Sequence, residues 1–133
     1  MSTIALTTPA RPGLLRVALR LDAAVTAANA VAYLALFSVL DGWLGVPAAL
    51  LIGSGAVLLA FATFVGRLST RAEPPRAAVI GVIAVNVVWA ADSLLALAVD
   101  AFSPTLAGQV VIAVQAAGVL GLAALQTVAL RRA

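Results

Sequence analysis

Residues 77–99 read AAVIGVIAVNVVWAADSLLALAV, and this stretch decides the fold class of the chain. At about 1.5 Å per residue, a helix of this length is long enough to cross a hydrocarbon core of about 30 Å. The stretch nevertheless contains Asp92, and a charged side chain near the bilayer centre costs about 2.5–3.5 kcal/mol. Any interpretation of the protein must account for this carboxylate.

Three further stretches have the same apolar character. The predicted membrane spans are residues 21–40, 47–66, 77–99 and 105–130. Of the 133 residues, 64% are hydrophobic and only 10% are charged, whereas about a quarter of the residues in a soluble domain are charged. We therefore predict an all-α fold, a polytopic membrane protein built as a four-transmembrane-helix bundle. Residues 14–133 form a single membrane domain, and residues 1–13 form a polar cytoplasmic tail.

The residue types that are absent restrict the chemistry. The chain contains no cysteine and no histidine, so thiolate nucleophiles, histidine bases and the usual ligands of transition metals are all missing. We therefore predict that the protein is not an enzyme and has no catalytic residues, no cofactor and no metal site.

The arginines predict the topology. All eight basic residues are arginines, and they lie before the first span, between the second and third spans, and after the fourth. The positive-inside rule then places both termini in the cytoplasm of a multi-pass protein of the bacterial cytoplasmic (inner) membrane. The basic clusters are not interleaved with aromatic residues, so we predict no binding to nucleic acid. The first span could also be a signal peptide, but its apolar run is too long for one.

Polar residues follow one face of two spans. In the first span Asp22, Thr26, Asn29 and Tyr33 fall within an arc of about 60°. A stripe this narrow is expected to face other helices or water, because lipid solvates polar groups poorly. Asp22 itself lies beside Arg20 at the predicted inner boundary, where we expect a solvated ion pair or a charge near the helix N-terminus.

The polar residues can also be grouped by their predicted depth in the membrane. Counting from the middle of each span places Tyr33, Ser54, Trp89 and Gln115 at the level of Asp92, in the outer half of the membrane. Asn29 and Asn86 lie at a level slightly to the inner side. The candidate intramembrane polar site therefore comprises Asp92, Asn29, Tyr33, Asn86, Trp89 and Gln115.

Two interpretations of this site are open. In the first, Asp92 gains and loses a proton and so couples proton movement to another process. In the second, the amides hydrogen-bond neighbouring helices, and a protonated Asp92 helps to specify how the helices pack.

The second span carries few polar groups but has a stripe of small residues. Their spacing of four and three residues allows close helix approach, so this face is predicted to be a packing seam. Its members are Ala49, Gly53, Ala56, Ala60 and Thr63.

These features support two functional hypotheses. The first is a non-catalytic accessory protein or self-associating structural bundle. The alternative is a small oligomeric transporter or channel with Asp92 as its protonatable site. Both predict the lipid bilayer as a partner, together with a homo-oligomer or a larger membrane complex.

The length and four-span plan are similar to those of the small multidrug-resistance transporters. That resemblance implies a membrane-embedded glutamate in the first span. This chain instead has Asp22 at the boundary and Asn29 at the centre, so we infer no family from it.

Overall fold

The computed structural model describes residues 13–101 and 103–132, and four α-helices account for most of them. They are α1 (Gly13–Leu44), α2 (Ala48–Ser69), α3 (Arg76–Ala98) and α4 (Leu106–Arg132). No strand occurs among the described residues, and each helix is long and apolar enough to cross a membrane. The predicted all-α four-helix bundle is confirmed. The predicted tail, residues 1–13, lies outside the described residues except for Gly13.

Prolines precede two of the helices. The Pro47 carbonyl accepts a hydrogen bond from the Leu51 N–H at 3.1 Å, and the Pro75 carbonyl accepts one from the Val79 N–H at 3.1 Å. Both prolines lie just before the first helical residue. Neither helix therefore loses a hydrogen bond because proline has no N–H.

The bundle consists of two closely packed helix pairs, α1 with α2 and α3 with α4, and α1 also packs against α4. Direct contact between the backbones of α2 and α3 is sparse. Where α1 meets α2, a Cβ on Gly55 would lie 2.8 Å from Leu34 Cγ, so the missing side chain allows the two helices to approach. The backbone of α1 leaves helical geometry at Leu36, which marks a kink.

Contacts between the loops define the two ends of the bundle. At what we call the arginine end, Arg16 Nη2 donates a hydrogen bond to the Arg71 carbonyl at 3.1 Å, which links α1 to the α2–α3 loop. At the opposite end, called the far end, the Thr105 N–H donates to the Leu44 carbonyl at 3.1 Å. This second bond joins the end of α1 to the start of α4.

Thr105 strengthens the joint at the far end through its side chain. Its hydroxyl donates to the Trp43 carbonyl at 2.8 Å and accepts from the Gly108 N–H at 3.0 Å, which caps the first turn of α4. The backbone of Gly108 lies against the Leu44 carbonyl, and a Cβ there would collide with it.

The small-residue stripe of α2 faces away from the other helices. All five of its residues are exposed, and nothing lies within 4 Å of a Cβ built on Gly53. The face of α2 that packs inside the bundle is instead formed by Leu51, Gly55, Leu58, Ala62, Val65, Leu68 and Ser69. The predicted seam is therefore not used between the helices of a single chain.

We expect Gly108→Ala to lower the free energy of unfolding by about 1–3 kcal/mol, because the added methyl must displace the Leu44 carbonyl. Thermal unfolding of the detergent-solubilised protein measures this. Gly118→Ala on the same helix is the matched control, since its Cβ would meet nothing within 4 Å. Equal unfolding temperatures for the two variants would contradict the close approach of α4 to α1.

Candidate functional site

A cavity of about 250 Å³ lies in the half of the bundle nearer the far end, and we call it the vestibule. All four helices contribute to its walls, and most of its lining is apolar. Its polar lining residues are Tyr33, Ser54, Trp89, Asp92, Ser93 and Gln115. The five residues that sequence depth assigned to one layer thus all line this cavity.

The polar groups of the vestibule come from different helices. Tyr33 Oη donates a hydrogen bond to Gln115 Oε1 at 2.8 Å, which joins α1 to α4 across the cavity. The Ser93 hydroxyl donates a hydrogen bond to the Trp89 carbonyl, one turn earlier on α3, at 2.8 Å. Asp92 is exposed, so the vestibule is open where this carboxylate lies.

A second, smaller cavity adjoins the vestibule deeper in the bundle, and we call it the middle cavity. Its volume of about 30 Å³ is sufficient for a water molecule. Trp89 and Gln115 line both cavities, so these two side chains form the partition between them. The other polar residues on its wall are Thr26, Asn29 and Asn86.

All six residues of the predicted site therefore line one or both of two adjoining cavities. Asp92 and Tyr33 line the vestibule, Asn29 and Asn86 line the middle cavity, and Trp89 and Gln115 line both. Asn29 also borders a groove of about 690 Å³ between α1 and α4.

Below the middle cavity lies a buried hydrogen-bond network that we call the Asp22 cluster, formed by Asp22, Thr26, Asn86 and Gln126. Asp22 Oδ1 accepts a hydrogen bond from the Thr26 hydroxyl at 2.9 Å. Asp22 Oδ2 accepts two, one from Asn86 Nδ2 at 2.7 Å and one from Gln126 Nε2 at 2.7 Å. Asn86 Nδ2 also donates to Gln126 Oε1 at 3.1 Å, so α1, α3 and α4 are all joined at this point.

The prediction of a solvated Asp22 is wrong. The side chain is 0% exposed, and each donor to its oxygens is a neutral group. Two residues of helix rotate a side chain by about 200°, so Arg20 points outward and is exposed while Asp22 points inward. Since α1 begins at Gly13, Asp22 also lies in its third turn rather than at its start.

Sequence reasoning left Asp22, Thr26 and Gln126 out of the candidate site. For the first two, the signal was present in the narrow polar stripe that Asp22 and Thr26 share with Asn29 and Tyr33. For Gln126, the signal was its spacing of eleven residues from Gln115, which puts both amides near one face of α4.

Between the Asp22 cluster and the arginine end lies a layer of buried hydrocarbon side chains. We call this layer the apolar seal. Its members on α1, α3 and α4 lie about one turn or more closer to the arginines than the cluster residues of the same helix, and α2 contributes two further members. They are Leu19, Val65, Leu68, Val79, Val82 and Leu130. The cavities and the cluster are therefore separated from the arginine end by packed hydrocarbon side chains.

Among residues 13–101 and 103–132, no three acidic side chains gather where they could hold a metal ion. Comparison with known proteins adds no assignment, because no family model, no curated protein and no solved structure matches the chain.

We expect Gln126→Leu to lower the free energy of unfolding by about 1–3 kcal/mol, because it removes a donor from a buried carboxylate. Chemical or thermal unfolding in detergent gives the measurement. Gln109→Leu on the same helix is the control, since Gln109 is exposed and makes only a long 3.4 Å bond to the Pro104 carbonyl. If the two variants were equally stable, the Asp22 cluster would not contribute to folding as described.

Proposed function

We propose that the protein is a small transporter or channel of the bacterial cytoplasmic membrane, in which Asp92 takes up and releases a proton. The observation that carries this proposal is the convergence of six polar residues on two adjoining cavities, with the carboxylate of Asp92 among them at the open side. A bundle with a purely structural role has no need of a cavity beside a carboxylate.

The orientation that we propose has both termini and the arginine end in the cytoplasm, as the positive-inside rule predicts. The vestibule then belongs to the outer half of the membrane, and protons reach Asp92 from the outer side. A deprotonated Asp92 also favours a positively charged solute, since carboxylates pair with cations and the indole of Trp89 attracts them.

We propose that the working form is a homo-oligomer. Four helices enclose little space, and most of the surface of each helix is exposed in a single chain. Close packing of several chains would bury part of this surface and close the open side of the vestibule.

We assign no catalytic activity to the protein. The chain has no cysteine or histidine, and the hydroxyl of Ser93 is already bonded to a backbone carbonyl.

We expect Asp92→Asn to slow proton flux about tenfold or more, because the amide cannot exchange a proton in this role. The measurement is the internal pH of proteoliposomes, made of phosphatidylethanolamine and phosphatidylglycerol, under a potassium diffusion potential. Asp100→Asn is the matched control, since this exposed carboxylate follows the end of α3 and lies outside both cavities. Wild-type flux equal to that of empty vesicles, or unchanged by Asp92→Asn, would refute the proposal.

A second candidate is a non-catalytic accessory or self-associating structural bundle, and the outward small-residue stripe of α2 favours it. Gly53 and its neighbours would allow close approach of a helix from a second chain or another membrane protein. Under this alternative the cavities are by-products of imperfect packing.

We expect Gly53→Leu to reduce the oligomer to smaller species, because a bulky side chain blocks close helix approach on this face. Native mass spectrometry after mild detergent extraction measures the assembly. Ala84→Leu, on an exposed face of α3, is the control and should leave the assembly unchanged. A wild-type protein that is extracted only as a monomer would count against both the oligomer and the accessory bundle.

A further inference from the structure

Asp22 has no part in the function proposed above, although it is the most deeply buried acid in the described chain. A buried carboxylate surrounded by hydrocarbon side chains is costly unless it is hydrogen-bonded or neutralised. Three neutral donors supply the hydrogen bonds, and no cation takes part in them. The position is therefore one in which a proton can supply the missing positive charge.

We propose that Asp22 is a second proton-binding group, loaded from the vestibule through the middle cavity, with the Thr26 hydroxyl as its relay. The coupling of Asp22 to transport rests on the proposed function, whereas its titration and the part of Thr26 do not.

The route follows side chains that line consecutive spaces. Asp92 lies in the vestibule, and Trp89 and Gln115 separate the vestibule from the middle cavity. Thr26 lines the middle cavity and bonds to Asp22. Along α3, Asp92 and Asn86 are six residues apart, or about 9 Å. A single water molecule bridges about 6 Å between two partners, so water in both the vestibule and the middle cavity is needed to carry the proton over this distance.

The loading step balances without any other reactant. A hydrated proton in the middle cavity transfers a proton to Thr26 Oγ1 as the original Thr26 hydroxyl proton moves to Asp22 Oδ1. One O–H bond breaks on the hydrated proton and one on Thr26, while one forms on Thr26 and one on Asp22. Neutral water remains in the cavity, Thr26 is unchanged, and the carboxylate becomes a carboxylic acid. The existing Thr26–Asp22 bond of 2.9 Å is the path for the last transfer.

Within residues 13–101 and 103–132, no other ionisable side chain lies on a buried face around Asp22. The buried residues of α2, α3 and α4 are apolar or carry only hydroxyl and amide groups. On α1, Arg16 and Arg20 are the nearest charged residues in sequence, and neither is bonded to Asp22. Glu73 lies exposed in the α2–α3 loop, and Arg131 lies exposed near the end of α4. Asp22 is therefore the only ionisable member of the cluster.

The apolar seal determines the direction of loading. Leu19 lies about one turn nearer the arginine end than Asp22, and Val82 lies about one turn nearer than Asn86. Neither side chain can carry a proton, so the polar-lined approach to Asp22 is from the vestibule side, past the Trp89–Gln115 partition and through the middle cavity.

The test is infrared difference spectroscopy of the full-length protein in phosphatidylethanolamine–phosphatidylglycerol vesicles after a jump to lower pH. We expect Asp22→Asn to remove one carboxylic-acid band that Asp92→Asn retains. Thr26→Val, which loses the hydroxyl, should slow the appearance of that band about tenfold or more. In Thr26→Ser, which retains the hydroxyl, the band should appear at close to the wild-type rate.

A second variant covers the case in which Asp22→Asn fails to fold. Asp22→Asn combined with Asn86→Asp keeps one carboxylate and one amide in the cluster, and it should show a carboxylic-acid band again. An unchanged spectrum in Asp22→Asn, or equal rates in Thr26→Val and Thr26→Ser, would overturn the inference. Because the infrared bands are measured without any proton flux, they test the protonation of Asp22 even if the proteoliposomes show no flux.

Discussion

The constraint on which this structure depends is the need to surround one buried carboxylate with donors. Asp22 cannot turn toward lipid without a large penalty, and its two oxygens are bonded by side chains from α1, α3 and α4. Apolar packing alone would tolerate many rotations of a smooth hydrophobic helix. The hydrogen bonds select one rotation for each of the three helices, and they thereby determine which residues face the cavities.

The same constraint explains where the open space lies. The cluster draws α1, α3 and α4 together near the arginine end, and Thr105 ties α1 to α4 at the far end. Among the described residues no hydrogen bond joins α2 to α3, whose backbones make little contact and whose side chains share the apolar seal near the arginine end. The vestibule lies beside this gap, with Ser54 on α2 and Asp92 on α3. Its position is a consequence of uneven cross-linking around the bundle.

Hydropathy predicted the fold because lipid imposes a single requirement on every spanning helix. Depth counting placed Tyr33, Trp89, Asp92 and Gln115 at one level, and all four line the vestibule, since helices that cross one bilayer share a common axis and rise. It failed at Asp22, because the neighbouring Arg20 suggested a boundary although the two side chains point in opposite directions. The outward direction of the Gly53 stripe also could not be predicted from the sequence, since small residues suit helix contacts within a chain and between chains equally well.

The order in which the cluster's members leave the ribosome has a consequence for biosynthesis. The two amide partners of Asp22 follow it by 64 and 104 residues, so they are made long after α1. Until then the newly inserted carboxylate lacks two of its three donors. The first hairpin therefore cannot settle into its final rotation before the last helix arrives, and a chain interrupted before Gln126 would retain an incompletely satisfied acid within the bilayer. Folding of this four-helix bundle therefore depends on α4, although the carboxylate that requires it is inserted with α1.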